Sequence, residues 1–210
     1  MRTVKTMMCL LGMALALSVS QAHAAVVNGS FESQTSTTSN QPAGSTAITG
    51  WATTLDGVEY FMPSIIGGVA ADGDWIVDLA YLTSSASGGI QQTITTTPGQ
   101  ASRLSFSLGT RASDGRSGNA QIVLMIDGLD VATYDLVNLT SSFVYEDLSH
   151  DFTPTNASTT IEFQSRQNAL QHFAYLDHVG IQDVPEPGVS MLLCGGLLIW
   201  VARRPERDRS

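Results

Sequence analysis

The 210-residue chain has 19 acidic and 10 basic residues and a formal net charge of −9 with neutral histidines. A strongly negative surface repels phosphate backbones, so this composition excludes nucleic acid as a partner and leaves neutral sugars, cations and basic proteins. Both cysteines, Cys9 and Cys194, lie near the chain ends, which excludes a disulfide framework in the region between them.

The N-terminus has the three parts of a secretory signal peptide. Arg2 and Lys5 supply the positive start, residues 7–19 are mostly apolar, and Ala22-His23-Ala24 offers small residues for cleavage. We therefore predict that residues 1–24 are a signal peptide and that the mature chain begins at Ala25.

Residues 25–184 are predicted to form one domain of about 160 residues, which is long enough to bury its own core. This region has no lysine and only four arginines against sixteen acidic residues, so its net charge is −12. The charge is explained equally well by simple solubility of an exported domain and by a preference for uncharged or basic ligands.

Apolar residues of this domain recur mainly at every second position, as half-buried strands require. Leu104, Phe106 and Leu108 alternate with serines, and Asp127-Gly128 is a hairpin signal. Residues 34–46 are rich in Ser, Thr, Asn and Gln and are predicted to form a long surface loop. The predicted strands lie within residues 58–61, 75–79, 89–95, 104–108, 122–126, 131–134, 143–152, 161–163 and 177–182.

No sustained helical periodicity occurs between residues 25 and 184. Many short strands separated by turns are typical of an antiparallel β-sandwich or jelly roll. The predicted fold class is all-β.

Five short motifs follow one another in this domain: Asn28-Gly29-Ser30-Phe31-Glu32, Gly50-Trp51, Val77-Asp78-Leu79, Gly88-Gly89-Ile90-Gln91-Gln92 and Leu176-Asp177-His178-Val179. Their order resembles galactose-binding-like β-sandwich domains of bacterial surface proteins of the choice-of-anchor C type, and several carbohydrate-binding modules. The chain departs from that pattern at His178, where the family usually has Asn or Asp.

The resemblance implies a structural calcium ion between the N-terminal element and the last strand, with Glu32 and Asp177 as ligands. Hard Ca²⁺ prefers six to eight oxygen ligands, which carboxylates and backbone carbonyls supply. The alternative is that Glu32 caps a turn and Asp177 binds a loop backbone without metal.

Sugar recognition requires flat aromatic faces with polar groups beside them. Tyr60 and Tyr81 are predicted platforms, because a phenol can lie at a wet edge, whereas Trp51 and Trp75 are predicted to belong to the core. The predicted polar partners are Gln92, Arg111 and Asp114.

Motifs of enzymes are missing from residues 25–184. There is no Gly-x-Ser-x-Gly, no His-Glu-x-x-His, no phosphate loop and no cysteine nucleophile. We predict no catalytic residue. Two carboxylates brought together by the fold would be the alternative, since such a pair hydrolyses glycosides.

The C-terminal residues 185–210 have a distinctive order of parts. Pro185-Glu186-Pro187 precedes an uncharged, mostly apolar stretch at 188–202, and a basic tail at 203–210 begins with Arg203 and Arg204. As a helix the stretch would span about 22 Å, less than the ~30 Å hydrocarbon core of a bilayer. A permanent anchor and a buried terminal helix are the alternatives.

This order resembles the PEP-CTERM sorting signal of exported bacterial proteins. The resemblance implies transient anchoring in the inner membrane, with the arginines on the cytoplasmic side. It also implies recognition and cleavage by an exosortase-type enzyme at this tail.

The sequence therefore predicts an exported, non-catalytic protein of the cell surface or extracellular matrix that binds extracellular polysaccharide. A structural or adhesive matrix protein with protein partners is the main alternative, and a glycan-cleaving enzyme is the other.

Overall fold

A computed structural model describes residues 24–36, 39–80 and 87–185 of the chain. Residues 1–23 of the predicted signal peptide, the apolar stretch at 188–202, the basic tail and Tyr81 lie outside the described residues, as do Glu186, Pro187, Arg203 and Arg204. Among the described residues, no helix is both long and apolar enough to span a membrane.

The described residues form two antiparallel β-sheets that pack face to face. The six-stranded sheet has the order β1-β3-β4-β11-β6-β9 and the five-stranded sheet has the order β2-β5-β10-β7-β8. The strands are β1 (Asn40–Pro42), β2 (Ala52–Leu55), β3 (Gly57–Phe61), β4 (Ile76–Asp78), β5 (Gly88–Thr95), β6 (Ser102–Thr110), β7 (Asn119–Ile126), β8 (Leu129–Val137), β9 (Val144–Phe152), β10 (Ser158–Ser165) and β11 (Tyr175–Asp183).

This architecture confirms the predicted all-β antiparallel sandwich. Each of the nine predicted segments lies on an observed strand, although Trp75, Leu79 and Phe143 fall just outside the strand bounds. The hairpin between β7 and β8 turns at Asp127 and Gly128, whose φ angles of 51° and 80° are both positive. Two positive φ angles define the type I′ turn that Asp-Gly favours, which explains why this hairpin could be read from the sequence.

The prediction of a plain loop at residues 34–46 is wrong. Asn40–Pro42 forms the edge strand β1, which pairs with β3, and Gln34 makes a bridge to Ile48. A short edge strand is held by backbone hydrogen bonds and needs no apolar alternation, so its polar composition conceals it.

The main core lies between the two sheets. Alternate residues of β6 point inward, so Leu104, Phe106 and Leu108 are almost fully buried. The ring of Phe106 meets that of Phe163 on β10 edge to face, with 5.0 Å between their centroids.

The opening motif closes one end of this sandwich. Phe31 is fully buried beside Trp51, whose indole N–H donates to the carbonyl of Asn28 at 3.0 Å. The carbonyl of Gly29 accepts the N–H of Val179 on β11 at 2.9 Å. A Cβ at position 29 would lie 1.8 Å from the Val179 carbonyl oxygen, so this close approach requires glycine.

A second, smaller apolar cluster lies on the outer face of the six-stranded sheet. It consists of Phe61, Ile76, Phe173 and Tyr175, with Phe143 and Tyr145 packed against it. Aromatic residues that point away from the core call for another explanation, because an outward face is normally polar.

Candidate functional site

The outer face of the six-stranded sheet carries a row of polar residues beside this aromatic cluster. Glu59 on β3 is paired with Asp78 on β4, which is paired in turn with Tyr175 on β11. Directly paired residues project from the same face of a sheet. The next residues along these strands, Tyr60 and Leu176, point into the core instead.

A cleft of about 410 Å³ opens over this face, a volume within the usual range for ligand pockets. We call it the arginine cleft. Aromatic, aliphatic and charged side chains line it: Ser39, Glu59, Phe61, Ile65, Ile66, Arg111, Asp114, Arg116, Phe173 and Tyr175.

Arg111 is held in place from several sides. Its guanidinium carbon lies 5.1 Å from the ring centre of Phe143 and 4.9 Å from that of Phe173. Nε donates to the Tyr175 hydroxyl at 3.1 Å, and Nη2 donates to Asp114 at 2.9 Å. The side chain is only 12% exposed, so its position is fixed before any ligand arrives.

Buried polar atoms without a partner are concentrated here. Among the described residues four such side-chain atoms occur, and three belong to the cleft or to strand neighbours of Glu59: Arg116 Nη1, Asn40 Oδ1 and Asp78 Oδ2. The Arg116 guanidinium also stacks 4.3 Å from the Phe173 ring centre. Each unpaired buried atom costs about 1–3 kcal/mol, so each calls for an explanation.

Burial shifts the acid–base properties of this row. Desolvation raises the pKa of Asp78 to about 7, although the N–H groups of Ala80 and Ala174 donate to its Oδ1 and oppose the shift. Desolvation also raises the pKa of Glu59, against the opposing charges of Arg116 and Arg111. The carboxyl groups of Glu59, which lines the cleft, and of Asp78, its partner on β4, are therefore more readily protonated than ordinary ones.

A second cavity of about 450 Å³ lies next to the arginine cleft and shares Ile66 and Arg111 with it. We call it the serine cavity. Small, hydroxyl-bearing and apolar residues line it: Ile66, Gly67, Gly68, Val69, Arg111, Ser113, Ser141, Ser142 and Phe143.

Two of the predicted sugar-binding residues, Arg111 and Asp114, do lie together in the arginine cleft. Tyr60 does not, and its prediction as an exposed platform is wrong. Tyr60 is 1% exposed, and its ring stacks on that of Trp75 with 4.5 Å between the ring centroids. Its hydroxyl donates a hydrogen bond to the Phe31 carbonyl. It occupies the inward position between the outward-facing Glu59 and Phe61 on β3.

The prediction of Gln92 as a ligand-binding residue is also wrong. Its side chain is buried, and its amide pairs with the backbone of Val27, accepting at 2.7 Å and donating at 2.9 Å. Gln92 thus fastens the N-terminal segment to β5. Trp51 is buried as predicted, and Trp75 packs half-buried against the core.

Sequence reasoning missed Glu59, Arg116, Phe173 and Tyr175. The available signal was weak: Arg116 follows Arg111 in one loop, and an aromatic residue stands at an outward position on both β3 and β11. Recognising the outward position requires knowing which face of each strand meets the core.

The carboxylates of Glu32 and Asp177 accept hydrogen bonds from backbone N–H groups at opposite ends of one loop segment, residues 71–75 before β4. Glu32 Oε1 accepts from Asp74 and Trp75, each at 2.8 Å. Asp177 Oδ2 accepts from Ala71 and Asp72 at 2.8 and 2.9 Å, and its Oδ1 accepts from His178. These contacts match the alternative without metal.

The calcium site nevertheless stays a prediction. Within the described residues, no group of three or more His, Cys, Asp or Glu side chains is placed to hold a metal ion. The N–H groups that point at both carboxylates occupy oxygens that a cation would need, so this donor set fits calcium poorly.

His178, the residue at which this chain differs from the family that it resembles, has an unusual backbone conformation. Its φ angle is 52°, in the left-handed region, where Asn, Asp and His are all enriched among non-glycine residues. It lies at an irregularity in the pairing of β11 with β6 between Asp177 and Gly180. The backbone conformation thus accounts for the residue types at this position.

Residues 24–181 match the family described as "Protein of unknown function (DUF642)". The match covers most of the chain, which therefore belongs to this family. No curated protein matches the sequence significantly.

Several solved structures are similar in fold. A cyclase from Fischerella sp. TAU, in complex with 4-(1H-indol-3-yl)butan-2-one, has a TM-score of 0.53 and 17% identity over 80% of this chain and 100% of its own. The arabinose-bound α-L-arabinofuranosidase MgGH51 has a TM-score of 0.51 and 12% identity over 77% of this chain, but only 26% of that enzyme is matched.

Carbohydrate-binding modules with a β-sandwich fold are also among the similar structures. The xylan-binding domain CBM22-1 of Paenibacillus barcinonensis Xyn10C has a TM-score of 0.47 and 13% identity over 68% of this chain and 90% of its own. At identities this low, the similarities to the cyclase and the arabinofuranosidase, whose TM-scores exceed 0.5, show a shared fold alone and leave the ligand open.

Replacing Asp78 by Asn should change how stability depends on pH. Because the folded pKa of about 7 exceeds the ordinary value of about 3.9, the folded protein retains a proton that the unfolded chain releases. Wild-type stability should therefore fall as pH rises from about 4 to 7, at up to about 1.4 kcal/mol per pH unit from this group. The Asn variant loses that dependence, so it should gain stability relative to wild type across this interval.

Urea denaturation across this pH interval measures the effect. Asp130→Asn is the control, since an exposed salt bridge from Arg166 lowers the pKa of Asp130 and no such relative gain should follow. A difference between Asp78→Asn and wild type that does not vary with pH would contradict the assignment.

Replacing Glu32 by Ala should lower stability by about 0.5–1.5 kcal/mol, because two exposed loop N–H groups exchange a carboxylate acceptor for water. Glu32→Gln keeps one acceptor oxygen and should lose less. Both effects should be equal in calcium and in EDTA, as melting temperature reports. A calcium-dependent rise in melting temperature that either variant abolishes would instead confirm the predicted calcium site.

Proposed function

We propose that this DUF642 protein is an exported, non-catalytic protein of the cell surface or extracellular matrix that binds polysaccharide in the arginine cleft. The observation that carries the proposal is the pairing of exposed apolar side chains with an unpartnered polar atom. Ile65 and Ile66 line the cleft as exposed apolar side chains, and Arg116 Nη1 lies there buried without a partner. A sugar ring has one apolar face and a rim of hydroxyl groups, which matches both features.

The charges in the cleft suit hydroxyl groups. Arg111 and Arg116 face Glu59 and Asp114, so cationic donors and anionic acceptors are present in equal number. A hydroxyl group donates and accepts at once, and can therefore use both kinds of partner. Nucleic acid is not expected at such a site, because the domain as a whole is strongly negative.

Affinity electrophoresis of the full-length protein through gels containing polysaccharides tests this function. We expect retardation by at least one polysaccharide, and affinity at least about tenfold weaker for Arg116→Ala, since a charged hydrogen bond contributes about 1.5–3 kcal/mol. The control is Arg166→Ala, because Arg166 lies in an exposed salt bridge with Asp130.

Absence of retardation by every polysaccharide would contradict the proposal. Recovery of envelope proteins without glycan would then favour the structural or adhesive alternative. Release of sugar products by the wild-type protein would overturn the non-catalytic part.

The tail supports the second part of the proposal, which is processing by an exosortase-type enzyme during transient inner-membrane anchoring. Pro185 lies just after β11, so the motif Pro185-Glu186-Pro187 directly follows the folded domain. In the native host, the mass of the surface protein should correspond to a chain whose C-terminus lies near this motif. Replacing the three residues by Ala should keep the full-length chain in the membrane fraction, whereas Gln182→Ala should be processed normally. Normal processing of the triple variant would contradict this part.

A further inference from the structure

We infer that the serine cavity is a subsite for an anionic substituent, so that the bound polysaccharide is acidic. The substituent is a uronate carboxylate or a sulfate ester, which share the chemistry of an oxyanion. This inference rests on the proposed function, because it specifies the ligand of the same surface.

The lining of the serine cavity differs in charge from that of the arginine cleft. Among its described lining residues Arg111 is the sole charged side chain, and Ser113, Ser141 and Ser142 add hydroxyl groups. Glu59 and Asp114 line the neighbouring cleft instead. Arg111 therefore borders two regions, one lined also by carboxylates and one lined only by neutral donors and apolar groups.

Arg111 retains capacity to bind an anion. A guanidinium has five N–H donors in a planar fork. The structure uses Nε for the Tyr175 hydroxyl and Nη2 for a single oxygen of Asp114. Stacking between Phe143 and Phe173 fixes the plane of the fork, so an oxyanion in the serine cavity meets a donor group that is already oriented.

Asp114 shows that this corner accepts a carboxylate. Its Oδ2 receives Nη2 of Arg111 at 2.9 Å and the hydroxyl of Ser113 at 3.0 Å. Asp114 is 66% exposed, and an exposed ion pair contributes only about 0–1 kcal/mol. It therefore neutralises Arg111 only weakly, and a ligand oxyanion can compete with it.

The four arginines of residues 25–184 are used in two different ways. Arg103 and Arg166 each make two hydrogen bonds to one carboxylate, those of Asp151 and Asp130, at exposed sites. Arg111 and Arg116 are instead gathered at the cleft. The net charge of −12 opposes any long polyanion, so an acidic polysaccharide would be bound through contact with Arg111 and not by long-range attraction. At about 0.15 M salt the Debye length is about 8 Å, which screens the distant acidic residues.

The test compares polysaccharides that differ only in charge, using the full-length protein at about 0.15 M salt. One pair is alginate, a polyuronate, and the same alginate with its carboxylates esterified. The other pair is dextran sulfate and dextran. We expect at least about tenfold tighter binding to the acidic member of one or both pairs, as one charged hydrogen bond to Arg111 provides. The pair that shows the preference identifies carboxylate or sulfate as the group.

Asp114→Asn should increase affinity for the acidic polymer. A misfolded variant would lose affinity, so misfolding cannot produce this result. Removing a competing charge beside Arg111 should tighten binding to the acidic polymer by about fivefold relative to its neutral counterpart. Asn tolerates the positive φ of 54° at this position. Asp130→Asn removes the same charge on the other sheet and should have no such effect.

Arg111→Gln should abolish the preference for the acidic member, whereas Arg166→Gln should keep it. Equal binding of charged and neutral members by wild type would overturn the subsite and leave polysaccharide binding standing. An equal gain with Asp130→Asn would also overturn it, because the effect would then come from net charge. Failure to bind any of these four polymers would overturn the subsite. Failure to bind every polysaccharide in the affinity gels as well would overturn the proposed function.

Discussion

The register of β3, β4 and β11 is the constraint on which the candidate site depends. Antiparallel pairing sets Glu59, Asp78 and Tyr175 side by side on one face and turns Tyr60 and Leu176 to the other. A shift of one residue in any of these strands would exchange the two sets, which would bury charge in the core and expose the aromatic rings. The core alternation that stabilises the sandwich thus also fixes which side chains reach the cleft.

The motifs that resemble those of carbohydrate-binding domains stabilise the fold in this chain. Trp51 donates to Asn28, and Glu32, Gln92 and Asp177 each accept or exchange hydrogen bonds with backbone of distant segments. These contacts fasten the N-terminal turn and one long loop to the two sheets. The arginine cleft is built largely from residues between the motifs, so the framework and the ligand surface are encoded by separate parts of the sequence.

The arginine cleft and the strands beneath it retain groups that weaken the fold. Asp78 is fully buried with one oxygen unpartnered, and Arg116 keeps a buried nitrogen without a hydrogen bond. Replacing buried charged groups by well-packed apolar side chains is often neutral or stabilising, so folding alone does not require them. The surrounding rings of Phe173 and Phe143 restrict the two arginines and exclude water from them, which strengthens any electrostatic contact made there.

The sequence alone determined the fold class and most of the strands, because alternation at period two and an Asp-Gly turn are local signals. It missed β1, since an edge strand held by backbone hydrogen bonds needs no apolar pattern. It also placed Arg111 and Asp114 in a candidate site, since they stand three residues apart in one polar loop. Only the tertiary structure decided that Tyr60 belongs to the core and that Glu59 and Tyr175 join Arg111. The direction of a strand residue depends on which face meets the other sheet, and residues more than a hundred positions apart become neighbours only through strand pairing.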